Sequence, residues 1–176
     1  MRPLIICIVG ESGSGKSMIA SFIEDAMGIP TLRSYTERPK RDDKDTGHTF
    51  VTKEEFNAFK KTDMIAYTMW SGNRYCCLKS DVKDKQTYVI DEDGYRMLLQ
   101  VYGDEYDIIS LRLIRPYKDR LKSVGKQRVS RDKDRFTMKL SEFDYLLDNY
   151  HNDKDRFIKD AETLVRLMLW KRENNL

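Results

Sequence analysis

A chain of 176 residues with 40% hydrophobic and 35% charged content is large enough for one α/β domain with a substantial core, and its longest apolar run is far too short to span a membrane. Its 32 basic residues are nearly matched by 29 acidic ones, and a net charge of +3 argues for no nucleic-acid partner. Three cysteines, Cys7, Cys76 and Cys77, form no spaced metal set, which fits a reducing, cytoplasmic setting.

Met1-Arg2-Pro3 runs straight into the apolar run Leu4 to Val9, leaving no room for a signal peptide and predicting a buried strand. Directly after it stands Gly10-Glu11-Ser12-Gly13-Ser14-Gly15-Lys16-Ser17, a full G-x-x-x-x-G-K-S loop in the strand-to-helix context that the motif requires. Its glycines let successive backbone N–H groups turn inward on a polyphosphate, and the start of the next helix adds partial positive charge. Residues Glu11, Ser12, Gly13, Ser14, Gly15, Lys16 and Ser17 are therefore candidate ligands of a nucleoside triphosphate. Lys16 reaches its β and γ phosphates, and the Ser17 hydroxyl ligates Mg²⁺.

Ile19, Phe22, Ile23, Ala26 and Met27 continue at helical spacing until Gly28-Ile29-Pro30 stops the helix. Arg33 to Gly47 is polar, contains Pro39 and reads as a loop. Thr52-Lys53-Glu54-Glu55 is a capping-box pattern opening a short helix through Lys61. Met64 to Trp70 and Arg74 to Leu78, parted by Ser71-Gly72-Asn73, read as a hairpin. Thr87 to Asp91 predicts a strand with a helix from Tyr95 to Val101 behind it, and Asp107 to Ile114 the next strand. Pro116 suits the first position of a helix ending near Gly125. Lys126 to Arg135 is almost wholly charged, Phe143 to Leu147 is a last short strand, and Phe157 to Leu169 a closing amphipathic helix. Strands alternating with helices imply a parallel sheet covered on both faces, with ligands at the carboxyl ends of its strands. The segment 34–80 breaks that alternation as an inserted lobe, so the single domain divides into a core, 1–33 and 81–176, the lobe, and a short lid, 123–136.

A phosphate loop alone does not separate a switch GTPase, a motor and a small-molecule kinase. Three features point to a phosphorylated second substrate. Ser34 to Arg41 places Arg38, Lys40 and Arg41 beside hydroxyls, and guanidinium forks suit a phosphate monoester. A solvated charged loop would look similar. Arg120, Arg128, Arg131 and Arg135 could neutralise the transferring phosphoryl group from a mobile lid, although a helix with a basic face has the same pattern. Asp91 and Asp93 at a strand end can reach Mg²⁺ through water, or orient Lys16 or an incoming arginine.

In this order of parts the chain resembles the guanylate kinase family over nearly its full length. The resemblance is carried by the phosphate loop, the arginine and proline loop, Gly47-His48-Thr49-Phe50-Val51, Lys53-Glu54-Glu55-Phe56, Ser71-Gly72-Asn73-Arg74-Tyr75, Val89-Ile90-Asp91-Glu92-Asp93, the lid arginines and Asp144-Tyr145-Leu146-Leu147-Asp148-Asn149. It implies a P-loop NTPase-type fold and Mg²⁺-dependent phosphorylation of a nucleoside monophosphate by ATP, with GMP or dGMP as acceptor. Carried over by position, Ser34, Arg38, Arg41 and Tyr75 would hold the monophosphate and Asn149 the adenine. Lys16, with Arg41, Arg131 and Arg135, would act on the transferring group, and Arg128 competes with Arg131 for the lid role. Aligning on Pro39 instead would put Glu37 and Lys40 in the arginine places; the chemistry prefers Arg38 and Arg41. His48 stands where the family has a phosphate-binding tyrosine, with a hydrogen bond expected to depend on pH near neutrality.

At the base the chain departs from the family. Ala66 and Cys77 replace the acidic and hydroxyl residues that read guanine, and a methyl group leaves two guanine donors unpaired at about 1 to 3 kcal/mol each if buried. Either another acidic residue such as Asp91 or Asp93 reads guanine, or the acceptor is a different or modified deoxynucleotide. A protein-binding module that has lost catalysis is the reading from another class, and the intact phosphate loop argues against it.

Overall fold

In the computed structural model, which describes residues 1–43, 45–132, 135–150 and 153–175, the first apolar run is strand β1, Leu4–Val9, with all its side chains buried. Successive side chains of a strand point to opposite faces, and β1 feeds two cores. Leu4, Ile6 and Ile8 pack with α1 (Lys16–Met27) and α5 (Lys154–Glu173) through Ile19, Ile23, Phe157, Ala161, Val165 and Met168. Ile5, Cys7 and Val9 pack with Tyr95 and Leu98 of α3 (Glu92–Tyr102) and with Ile65 and Cys77.

Strands β2 (Thr31–Leu32), β7 (Lys85–Ile90), β8 (Asp107–Ile114) and β9 (Tyr145–Asp148) join β1 in a five-stranded parallel sheet of order β2-β7-β1-β8-β9. Helices on both of its faces give the doubly covered α/β architecture expected from the alternation. A second sheet of order β4-β3-β6-β5 gathers Tyr35–Thr36 (β3), Thr49–Phe50 (β4), Met64–Trp70 (β5) and Asn73–Leu78 (β6). Among the described residues no helix is long and apolar enough to cross a membrane.

Several expected boundaries move. The stretch read as a loop from Arg33 to Gly47 contains β3, whose two residues pair with β6 and β4; its partners are remote in sequence, so local periodicity cannot reveal it. The capping box forms, with Glu55 N–H donating to Thr52 Oγ1 at 3.1 Å and Thr52 N–H to Glu55 Oε2 at 2.7 Å. The helix it opens, α2 (Lys53–Ala58), stops short of Lys61. Directly after Ile90, the last residue of β7, stands Asp91. Its carboxylate accepts the Gly94 N–H at 2.8 Å as the N-cap of α3, which starts three residues before Tyr95. Pro116 is a cap outside the following helix, not its first residue, and α4 (Tyr117–Arg131) continues past the expected end with a break at Gly125, φ 77° and ψ 163°. The last strand begins at Tyr145 and not at Phe143. Lys44 of the arginine loop and Lys133 and Asp134 of the expected lid lie outside the described residues.

Candidate active site

The loop between β1 and α1 turns through left-handed backbone at two of its glycines. Gly13 and Gly15 lie at φ 81° and 110°, where a side chain is strained, and a Cβ on Gly15 would stand 2.7 Å from the Phe157 ring. Lys16 folds back along the loop, its Nζ donating to the carbonyls of Gly10 at 2.5 Å and Glu11 at 3.0 Å. Burial lowers its pKa to about 8, opposed by the charges of Asp132 and Glu11. A desolvated ammonium at a glycine-rich turn into a helix N-terminus favours a multiply charged anion, so these residues fit a triphosphate.

Two adjoining cavities meet at this lysine. One runs along the loop past Ser17, Arg115, Ser123, Asn149 and Lys154; the other opens toward Ser34, Thr68, Trp70, Tyr75, Tyr88 and Asp91. Ser12, Lys16, Arg41, His48, Val89 and Arg128 line both. The buried Asn149, in the first cavity, donates from Nδ2 to the Ser14 carbonyl at 3.2 Å, so it also braces the loop. Ser14 Oγ is buried without a hydrogen-bond partner.

In the second cavity the buried Ser34 hydroxyl is 2.9 Å from His48 Nδ1, and the His48 and Tyr75 rings stand 5.3 Å apart. Burial, and then the Arg38 charge, pushes the His48 pKa down to about 4. This favours a neutral imidazole in the free protein, with a pKa below the near-neutral range expected from the sequence. The side chain of Arg38 turns onto Phe50, 5.0 Å from the ring centroid, and pairs with Asp45 at 2.8 Å; Arg41 lines the cavities. Glu37 forms an ion pair with Arg74, and Lys40 lies exposed over Phe50 at 5.5 Å, so neither lines either cavity. Burial lowers the pKa of Arg41, followed by repulsion from Arg38 and Arg128.

Arg128 and Arg131 both line the second cavity. Arg135 lies over Trp70 and reaches Asp91 and Asp93, each at 3.3 Å from its Nη2. Asp91 lines the cavity, whereas the Asp93 side chain is 62% exposed and does not. Burial raises the pKa of Asp91, offset by the Gly94 N–H and Arg135. Ala66 and Cys77 are buried and line neither cavity. Ala66 has φ 50° at an irregularity between Ile65 and Thr68, and Cys77 packs among Ile5, Cys7 and Tyr88.

Sequence reasoning passed over Thr68, Trp70, Tyr88 and Phe136, which face the second cavity, and the ion network beneath the loop. There Glu11 pairs with Arg112 at 3.0 Å and approaches Arg120 at 3.9 Å, so its carboxylate serves the scaffold while its carbonyl holds Lys16. The signal for Arg112 was a cation inside the buried strand Leu111-Arg112-Leu113, where a charge needs a partner.

Comparison with known proteins points the same way. No family model matches the chain. Over 97 residues it is 32% identical to a guanylate kinase of Fusobacterium nucleatum, covering 53% of this chain and 50% of that protein. The match thus spans about half the length of the curated relative. The solved guanylate kinase of Anaplasma phagocytophilum superposes with a TM-score of 0.63 over 97% of this chain and 86% of its own, at 15% identity, a likeness of fold.

Proposed function

We propose that this chain, guanylate-kinase-like in sequence and fold, is an ATP-dependent nucleoside monophosphate kinase, with GMP or dGMP as the first acceptors to test by resemblance. The observation that carries the reading is the pair of adjoining cavities sharing Lys16, Arg41 and Arg128. One offers a glycine-rich loop to a triphosphate; the other offers Ser34, His48, Tyr75 and arginines to a monophosphate. Transfer between them needs no covalent intermediate, because positioning and charge neutralisation supply the catalysis.

In this reading Lys16 and Arg128 or Arg131 take the charge of the transferring phosphoryl, and Arg41 bridges donor and acceptor. Arg135 closes the lid against the acceptor side. Ser17 in the first cavity would supply a hydroxyl ligand to the Mg²⁺ that accompanies ATP, and Asn149 would stand beside the adenine. Three buried free cysteines suit a reducing cytoplasm. Formation of ADP from ATP and Mg²⁺, measured against a panel of ribo- and deoxynucleoside monophosphates, tests the proposal; no turnover with any acceptor would refute it.

The burial of Ala66 and Cys77 away from the cavities favours a second reading of the acceptor. With no hairpin carboxylate available to guanine, Thr68, Tyr88 and Asp91 are among the polar groups lining that cavity, and a different or modified deoxynucleotide becomes the alternative. Preference for GMP at the expense of every pyrimidine nucleotide would exclude it.

A further inference from the structure

The segment following α4 carries a carboxylate for which phosphoryl transfer has no evident use. Asp132, only 6% exposed, places Oδ2 where it accepts the Ser12 backbone N–H at 2.6 Å and Oδ1 where the Ser12 hydroxyl donates at 3.1 Å. Ser12 lies in the loop whose N–H groups surround the phosphates in the reading above. Asp132 Oδ2 is also 3.7 Å from Arg120 Nη1, an atom buried without a hydrogen-bond partner. A carboxylate oxygen accepting a loop N–H beside a lysine and an arginine repeats the charge and hydrogen-bond pattern of a phosphate oxygen.

We propose that Asp132 is a built-in stand-in for a donor phosphate oxygen: in the nucleotide-free protein it occupies the anion position at Ser12 and must leave before a polyphosphate can bind there. The inference rests on the reading of residues 10–17 as the donor site. Two anions cannot share one N–H and the same cations without repulsion, so entry of the triphosphate expels the carboxylate. The chain provides a place for that movement. Gly125 interrupts α4 at φ 77°, with open space around it, separating the half that holds Arg120 from the half that leads to Asp132. The same contact keeps the loop covered and its cations partly neutralised until a stronger anion arrives, which makes it an autoinhibitory latch on the donor site.

Calorimetric titration of the full chain with inorganic tripolyphosphate, and separately with Mg²⁺ and a non-hydrolysable ATP analogue, tests this. Asp132→Asn keeps the shape and removes the charge; it should bind both ligands about tenfold more tightly than wild type, the scale of one charge-assisted hydrogen bond no longer to be displaced. Asp132→Glu keeps the charge and should not gain affinity, which a purely steric role would not require. Asp132→Ser repeats the test with a smaller neutral side chain should the asparagine variant not fold. Unchanged or weaker binding of tripolyphosphate by the folded neutral variants overturns the proposal. Absence of binding by wild type and variants alike overturns the donor-site reading and the latch with it, so the two failures are distinguishable.

Discussion

The guanidinium carbon of Arg135 stands 3.4 Å from the centroid of the Trp70 ring, and its Nη2 also reaches Asp91 and Asp93. This joins the segment after α4 to the hairpin of the second sheet beside the second cavity, which Trp70 and Asp91 line. A guanidinium on an indole face contributes roughly 0.5 to 2 kcal/mol, more when desolvated.

Replacing Trp70 by Leu should therefore leave the fold intact while loosening this closure. The expected result is a fall of about 2- to 30-fold in kcat/KM for the acceptor, converted from that energy at 1.4 kcal/mol per factor of ten, with ATP binding little changed. Steady-state kinetics with each substrate varied in turn measures it. An equal loss on the ATP side would show that Trp70 acts on the whole cleft.

Lys16 should give the proposed donor site a pH dependence. In the free protein its pKa is lowered to about 8, mainly by burial, and a bound polyphosphate returns the ammonium toward its ordinary range. Binding then takes up a proton at pH values above about 8, and affinity for MgATP falls as pH rises through that value. Calorimetry at pH 7 and pH 8.5 in buffers of different ionisation enthalpy should show larger proton uptake at the higher pH. Lys16→Met should abolish the uptake and weaken binding severely.

How far this site was legible in the sequence depended on the range of the interactions that build it. The phosphate loop and the capping box at Thr52 depend on neighbours a few residues apart, and both were readable as strings. The pairing of Tyr35 with Cys76 and Thr49 depends on residues brought together by the fold, and β3 was missed. Position alone placed Arg38 and Arg41 as equivalent phosphate ligands; the packing of Arg38 on Phe50 beside Asp45 differentiates them. The departures at Ala66 and Cys77 were visible at once, but only burial shows that neither lines a cavity, leaving Thr68, Trp70 and Tyr75 as the hairpin's contribution.

His48 should be silent between pH 5.5 and 8 in the free protein, because burial and Arg38 hold its pKa at about 4. Its neutral ring shares a hydrogen bond with Ser34. A phosphate dianion bound beside it would favour the imidazolium and move titration upward. NMR titration of the His48 ring should show no protonation above pH 5.5 without ligand and a raised pKa with a bound monophosphate. His48→Phe should raise KM for the acceptor by several-fold, the equivalent of one lost hydrogen bond, and leave KM for ATP nearly unchanged.

Glu92 sets where the chain returns after α4. It is 2% exposed, and its Oε2 accepts the N–H groups of Thr137 at 2.7 Å and Met138 at 3.0 Å, tying the residues just beyond Arg135 to the first turn of α3. A buried carboxylate at a helix N-terminus is favoured by the helix dipole, and two amide donors satisfy the same oxygen. Glu92→Ala leaves both donors without this partner, and each buried unsatisfied group costs about 1 to 3 kcal/mol. Chemical denaturation should show a loss of about 2 to 4 kcal/mol with an unchanged m-value, on the same per-group scale. Because Arg135 lies two residues before the anchored Thr137, the variant should also lower kcat under conditions where it remains folded. Glu92→Gln keeps one acceptor oxygen and should recover most of the stability, whereas equal losses in both variants would mean that the negative charge, and not the pair of hydrogen bonds, holds this segment.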